Sequence, residues 1–127
     1  MEIRVDQRND SKVAVVVSED MVIQNVQDAL DLMVSVQYNE GCDKIILKKE
    51  QIVDDFFELK TKLAGEILQK YTNYQVKLAI VGEFGSYNSK SLNDFIYESN
   101  KGNSVWFLPT VVKALDVLHQ IDTEEGA

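Results

Sequence analysis

The sequence is poor in the residues that build disulfides and metal sites. It contains one cysteine, Cys42, and one histidine, His119, among 127 residues. A single cysteine excludes an internal disulfide and is typical of a reduced compartment, so we expect a cytoplasmic protein. Zinc clusters and histidine-based metal sites need several such ligands, so we predict no metal and no cofactor. We also expect no catalytic triad, and we interpret His119 as a solvated residue near the end of a helix.

Long apolar runs and a general excess of basic residues are also missing. Apolar runs such as residues 13–17 are far shorter than the roughly 20 residues that a membrane-spanning helix needs. The net charge is −8, and an acidic surface repels phosphate backbones. We therefore predict no membrane and no nucleic-acid partner. Only residues 44–82 are locally basic, with seven basic and five acidic side chains. These lysines are typical of solvated strand and helix ends, and the alternative is a small rim that attracts anions.

Short apolar runs alternate with helical patterns along the rest of the chain. Runs 44–47 and 76–82 are each followed by a helical stretch, which predicts parallel strands joined by helical crossovers. Before them, the apolar patterns at 3–7 and 12–17 flank the turn residues 8–11 and predict an antiparallel hairpin. We predict one α/β domain over residues 1–121, with a frayed tail at 122–127. Its order is ββαβαβαβα, with a mixed sheet of about five strands and about four helices, mostly on one side.

The second helix has two possible starts. Asp54 or Asp55 fits as the cap of a long helix, and Thr61 fits as the cap of a shorter helix that begins at Lys62. The shorter helix would leave residues 52–60 as an ordered loop whose two phenylalanines pack on the core.

Three small residues carry further expectations. Gly41 follows the first helix and suits a left-handed cap. Gly65 lies inside the second helix, where we predict a close approach of helix and sheet, so that a leucine there would overpack the contact. We interpret Cys42 as a small packing residue.

The loops that follow parallel strands meet at the carboxyl edge of a sheet, where ligands tend to bind. Residues 82–86 occupy the place of a phosphate loop but lack its spacing and its lysine, so we interpret them as a plain turn. The polar candidates for ligand or partner binding at this edge are Lys48, Lys60, Thr61, Lys62, Glu83, Tyr87, Ser89 and Lys90.

The order of elements resembles the STAS domain of anti-sigma factor antagonists. In that family, a loop after the third strand carries an Asp-Ser pair, and a partner kinase phosphorylates the serine. The matching stretch here is residues 57–65, in which Thr61 falls close to the phospho-acceptor and Leu63 close to a helix leucine. Leu59 and Lys60 stand where the Asp-Ser pair would be. The resemblance implies a possible phosphorylation switch at Thr61.

A closer resemblance covers essentially the whole chain. The segments that carry it are Asp55–Leu59, Leu63–Lys70, Val76–Gly82, Ser89–Leu92 and Asp94–Gly102. They are similar to a bacterial family of unknown function, number 4180 in the domain-of-unknown-function series, which has a STAS-like fold. That family has no assigned activity, and we interpret the chain as a non-catalytic binding or regulatory module that docks a protein partner through the helix after the third strand and its loop. The sequence also allows a homodimer. The alternatives are a binder of a small ligand or anion at the carboxyl edge and, third, an unrecognised hydrolase or transferase.

Overall fold

The computed structural model describes residues 1–121, so the predicted frayed tail lies outside the described residues. Within that range, the order of strands and helices confirms the predicted ββαβαβαβα arrangement. The strands are β1 Glu2–Arg8, β2 Ser11–Val17, β3 Lys44–Lys48, β4 Lys77–Val81 and β5 Val105–Leu108. The helices are α1 Val26–Ser35, α2 Leu63–Asn73, α3 Lys90–Asn100 and α4 Val111–Gln120.

The sheet is mixed, as predicted, and its strands follow chain order from β1 to β5. β1 and β2 form an antiparallel hairpin closed by Asn9 and Asp10, and Asn9 adopts the left-handed region with φ 56°. Asparagine tolerates this conformation better than most residues. The pairs β2–β3, β3–β4 and β4–β5 are parallel. Strands β2 to β5 therefore all begin at one edge of the sheet, the amino edge, and end at the other, the carboxyl edge.

Both faces of the sheet are covered. Ile45 and Leu47 of β3 belong to a core shared with residues of α1, α2 and α3. Ile46, between them, belongs to a second core with Ala114 and Leu118 of α4. Because successive side chains of a strand point to opposite faces, three helices cover one face and α4 covers the other. The prediction that the helices lie mostly on one side is confirmed.

The segment between α1 and β3 forms as expected. A single π-helical turn, Val36–Glu40, extends α1, and Gly41 follows it with φ 66°. This left-handed conformation costs glycine nothing sterically. Cys42 is 1% exposed within the core, and burial raises the pKa of its thiol. It is a packing residue, as predicted.

The shorter alternative for the second helix is correct, although the helix begins one residue later than predicted, at Leu63. Lys62 occupies the cap position in a left-handed conformation, φ 67°. The preceding loop is ordered as 3₁₀ turns, including Asp54–Phe57. Phe56 and Phe57 are 2% and 5% exposed, so they anchor this loop in the core as predicted.

The expectation for Gly65 is wrong. Gly65 is exposed, and a Cβ built at this position would have no atom within 4 Å. Its neighbours Ala64 and Ile67, together with Tyr71, are the residues that α2 buries in the core. The helix therefore turns Gly65 toward solvent, and the close approach predicted from its small size does not exist.

One side chain covers part of the outer side of β5. Ser104 and Leu108 accept backbone hydrogen bonds from the β4 side through their carbonyl oxygens. Phe107, one residue out of phase with them, directs its peptide groups away from β4. The Asn100 amide bonds both of these groups: Oδ1 accepts from the Phe107 N–H at 2.7 Å, and Nδ2 donates to its carbonyl at 3.1 Å.

Candidate functional site

Two loops meet at the carboxyl edge, one after β3 and one after β4, and aromatic rings join them. Phe57 stacks on Tyr87 with ring centroids 5.7 Å apart and ring planes inclined by 22°. Phe84 meets Phe107 edge to face at 5.4 Å. Such pairs favour fixed relative orientations beyond simple burial of apolar area. The two loops are thus held as one surface.

Lys49 is a second link between these loops, and it was absent from the predicted site residues. Its Nζ donates a hydrogen bond to the Glu83 carbonyl at 2.8 Å and lies 4.7 Å from the centre of the Tyr87 ring. A Cβ on Gly82 would lie 2.7 Å from the Lys49 Cβ, so only glycine permits this approach. The pairing of Lys49 with Gly82 could be found only from the register of β3 and β4.

A groove of about 470 Å³ opens between the two loops. It is lined by Asp54, Phe57, Glu58, Leu59, Tyr87, Asn88 and Ser89. Two predicted site residues, Tyr87 and Ser89, therefore do lie together. Ser89 also caps α3, because its hydroxyl accepts a hydrogen bond from the Leu92 N–H at 3.1 Å.

Thr61 fastens the first loop to α2. Its hydroxyl lies 2.7 Å from the Asp55 carbonyl and 2.9 Å from the Glu58 carbonyl, and it accepts from the Leu63 N–H at 3.3 Å. The one hydroxyl proton can serve only one of the two carbonyls at a time. The side chain satisfies the first N–H of α2 as an N-cap would, although Lys62 holds the cap position.

Lys60 and Lys62, on either side of Thr61, are exposed. Within the part of the chain that the structure describes, neither side chain forms an ion pair or a hydrogen bond. Two ammonium groups beside the start of a helix favour an anionic contact, because the N-terminus of the helix adds partial positive charge.

The side chains of the remaining predicted residues, Glu83, Lys90 and Lys48, do not line this groove. Lys90 pairs with Asp94 one helical turn away at 2.7 Å, and this hydrogen bond raises the pKa of Lys90. The Glu83 carboxylate accepts the Gly85 N–H at 3.0 Å and so closes its own turn. Lys48 lines a different groove, of about 670 Å³, together with residues of the hairpin and Val111.

The structure corrects the expectation for His119. Its side chain is 4% exposed, and both ring nitrogens have partners. Nε2 lies 2.7 Å from Asp6 Oδ1, and Nδ1 lies 2.7 Å from Ser11 Oγ. Lys44 Nζ in turn donates to Ser11 Oγ at 2.8 Å. These four residues form a polar chain at the amino edge.

The expectation that one histidine excludes a triad is wrong as well, since a serine–histidine–aspartate arrangement needs only one. Sequence reasoning missed it because Asp6 and Ser11 lie 113 and 108 residues from His119. The fold brings them together by packing the end of α4 against the hairpin.

The fold and its edges define a small α/β domain with an ordered, lysine-bearing loop at the carboxyl edge of a mixed sheet. The chain belongs to the family described as Domain of unknown function (DUF4180), whose profile matches residues 8–118. This membership confirms the resemblance inferred from the sequence.

One solved structure with a similar fold belongs to a proposed anti-sigma factor antagonist from Thermotoga maritima. The identity is 14%, the match covers 93% of this chain and 95% of that chain, and the TM-score is 0.46. No curated protein matches the chain. Over residues 1–121, no helix combines the length and the apolar character needed to cross a membrane.

Proposed function

We propose that the carboxyl edge of the chain is a non-catalytic, regulatory protein-binding surface, which docks its partner through residues 53–62 and the start of α2. The observation that carries this proposal is the pair of exposed lysines, Lys60 and Lys62, which have no partner among the described residues and stand on a loop that is already ordered. A preformed surface supports binding because little ordering entropy is lost when the partner arrives.

The chemistry of this surface indicates a polypeptide partner. Asp54 and Glu58 line the groove, and Lys60 and Lys62 lie beside it in the same loop. A partner that complements both signs of charge needs both signs itself, which a polypeptide has and a nucleic acid lacks. Half-buried rings of the groove, such as that of Tyr87, supply the apolar contact area that interfaces favour.

A capture experiment with matched variants tests this proposal. The tagged chain is incubated with lysate of the organism that encodes it, and bound proteins are identified by mass spectrometry. The double variant Lys60→Glu/Lys62→Glu is compared with Lys70→Glu/Lys101→Glu, which makes the same charge change at the far ends of α2 and α3. We expect one partner to be lost only with the first variant, by about tenfold or more. A partner that binds all three proteins alike would place the docking surface elsewhere.

Phosphorylation of Thr61 remains a prediction, and the geometry says how it would act. A phosphate would remove the hydroxyl proton that is donated to the carbonyl of Asp55 or Glu58, and it would bring about −1.5 to −2 charge toward both oxygens. Modification would therefore release the loop rather than fasten it. The intact mass of protein purified from its host reports the modification, and an unmodified mass would contradict the switch.

Anion binding is the second candidate, and it is favoured by the ammonium groups of Lys60 and Lys62, which are unpaired within residues 1–121. Inorganic phosphate should then raise the thermal unfolding midpoint of the wild type, because a ligand of the folded state stabilises it. The Lys60→Glu/Lys62→Glu variant should show no such rise. Equal shifts in both proteins would indicate a general salt effect and would contradict an anion site here.

A further inference from the structure

When His119 is neutral, the partners in the polar chain at the amino edge determine the direction of proton donation. An ammonium group only donates, so Lys44 Nζ gives a proton to Ser11 Oγ. An ionised carboxylate only accepts, so Asp6 Oδ1 receives the proton on His119 Nε2. In the neutral imidazole, Nδ1 is then the acceptor, and the Ser11 hydroxyl proton points to it. A serine hydroxyl that donates to an imidazole held by a carboxylate has the arrangement of an activated nucleophile.

We propose that Ser11 is a nucleophile for acyl transfer, with His119 as its general base and Asp6 as the residue that positions the imidazole. This site lies at the opposite edge of the sheet from the proposed docking surface and does not depend on it. His119 is nearly enclosed, at 4% exposure, so bulk water does not compete strongly for Nδ1. Ser11 is half-buried and lines an open pocket, so a substrate can reach it.

The pocket indicates a small, polar acyl ester. Its volume is about 190 Å³, and it is lined by Asp10, Ser11, Lys12, Gly41, Asp43 and Lys44. This space equals about six water molecules and suits a short acyl group. Among residues 1–121, no apolar side chain lines it, so a long hydrocarbon chain would gain nothing there. The ammonium of Lys44, 2.8 Å from Ser11 Oγ, stabilises negative charge that develops close to that oxygen.

The reaction balances with water as the only co-reactant. Ser11 Oγ attacks the ester carbonyl carbon while its proton passes to His119 Nδ1. The bond from that carbon to the alkoxy oxygen then breaks, and His119 gives the proton to the departing alkoxide. A water molecule next attacks the acyl-serine, and its proton passes to Nδ1. The acyl–Oγ bond breaks, Oγ regains a proton from His119, and a carboxylic acid leaves.

Covalent labelling of the whole chain tests the proposal without a known substrate. A fluorophosphonate reacts with an activated serine by forming an Oγ–P bond as fluoride leaves, and the serine proton departs through His119. We expect one adduct per wild-type chain by intact mass, and tandem mass spectrometry should map it to the peptide that contains Ser11. Trypsin in a parallel tube shows that the reagent is active. No adduct, or an adduct on a different residue, would overturn the proposal.

Variants then separate chemistry from structure. Ser11→Ala should abolish labelling, and Ser86→Ala, in an exposed loop, should leave it unchanged. His119→Gln should slow labelling and hydrolysis of p-nitrophenyl acetate by about 100-fold or more. Asp6→Asn should slow both, and Asp6→Glu should restore part of the rate. Circular dichroism identifies variants that fail to fold. If a variant does not fold, the position of the adduct mapped on the wild type tests the proposal instead. Equal labelling of a folded Ser11→Ala variant would show that the hydrogen bonds among Asp6, Ser11 and His119 only join the hairpin to α4 and do not activate Ser11.

Discussion

At the carboxyl edge, loops meet through stacked rings and a close contact between Gly82 and Lys49, whereas at the amino edge the hairpin and α4 meet through a chain of hydrogen bonds. The first arrangement centres on Phe57 and Tyr87, which come from consecutive crossover loops. The second joins Asp6 and Ser11 of the hairpin to His119 at the far end of the chain. Apolar packing is broad and tolerant of direction, whereas each hydrogen bond fixes a donor, an acceptor and a proton.

This difference in contacts suits the two edges to different functions. Rings that hold a loop in place build a shape, and a shape with unpaired charges is suited to recognition. A directed chain of protons, by contrast, is suited to moving a proton. The two proposals assign recognition to the carboxyl edge and proton transfer to the amino edge. Stability measurements on variants test whether ring packing and hydrogen bonds hold the respective edges.

The largest effect should come from Phe57→Ala at the carboxyl edge. Phe57 is 5% exposed and contacts the rings of Phe56, Phe84 and Tyr87. We expect a loss of about 3–5 kcal/mol in the free energy of unfolding, because a buried ring is replaced by a cavity. Urea unfolding followed by circular dichroism measures this change. Tyr97→Ala, at an exposed ring, should change it by less than about 0.5 kcal/mol. A cost below 1 kcal/mol for Phe57→Ala would show that the rings do not hold this edge.

A smaller loss should follow from His119→Leu at the amino edge. Leucine fills most of the space but removes both hydrogen bonds and leaves Ser11 and Asp6 without this partner. We expect a loss of about 1–3 kcal/mol, kept low because Asp6 is 41% exposed and water can replace part of the contact. His119→Gln should lose less, since its amide retains one bond. A leucine variant as stable as the wild type would mean that the polar chain does not fasten the hairpin.

Gly65 in α2 and Gly82, directly after β4, provide a third comparison. Gly65→Ala should raise the free energy of unfolding by about 0.5–1 kcal/mol, because alanine fits the exposed helix and restricts the unfolded chain. Gly82→Ala should lower it by about 1–3 kcal/mol, because its Cβ would meet Lys49. Thermal unfolding of both variants under the same conditions gives the answer. A loss of stability in Gly65→Ala would indicate that α2 and the sheet do approach closely at Gly65, as the sequence predicted.

The smallest effect concerns the coupling between the edges. A strand of five residues such as β3 spans about 16 Å, and Phe57 and His119 share no contact among the described residues. The double variant Phe57→Ala/His119→Leu should therefore show the sum of the single losses within about 0.5 kcal/mol. A double-mutant cycle from urea unfolding measures the difference. A larger coupling energy would show that the two edges are energetically linked.

The parts of the fold that follow from local pattern could be read from the sequence. The apolar runs of β3 and β4, the turn at Asn9 and Asp10 and the cap at Gly41 each have a nearby cause. The helix phase around Gly65 could not, because Leu63, Ala64, Ile67 and Leu68 allow more than one inward face. Only packing on the sheet decides that Ala64 turns inward.

Long-range polar contacts were beyond the sequence for a different reason. Nothing near His119 in the chain hints at Asp6 or Ser11, and a histidine near a helix end is most often solvated. At the carboxyl edge, the predicted residues Tyr87 and Ser89 do share a groove, since their loop follows a strand. Lys49 was missed although its neighbour Lys48 was chosen, because one residue at a strand end changes the face on which a side chain lies.

The Asn100–Phe107 contact affects how copies of the protein associate at high protein concentration. β5 is the last strand of the sheet, and an open strand edge is a template for the edge of another molecule. The side-chain amide of Asn100 imitates one more peptide unit, with one donor and one acceptor in place, and so completes the ladder where a neighbour would otherwise begin. Asn100 thereby occupies the outward peptide groups of Phe107, in the middle of the buried strand Val105–Leu108, and disfavours edge-to-edge association at that point.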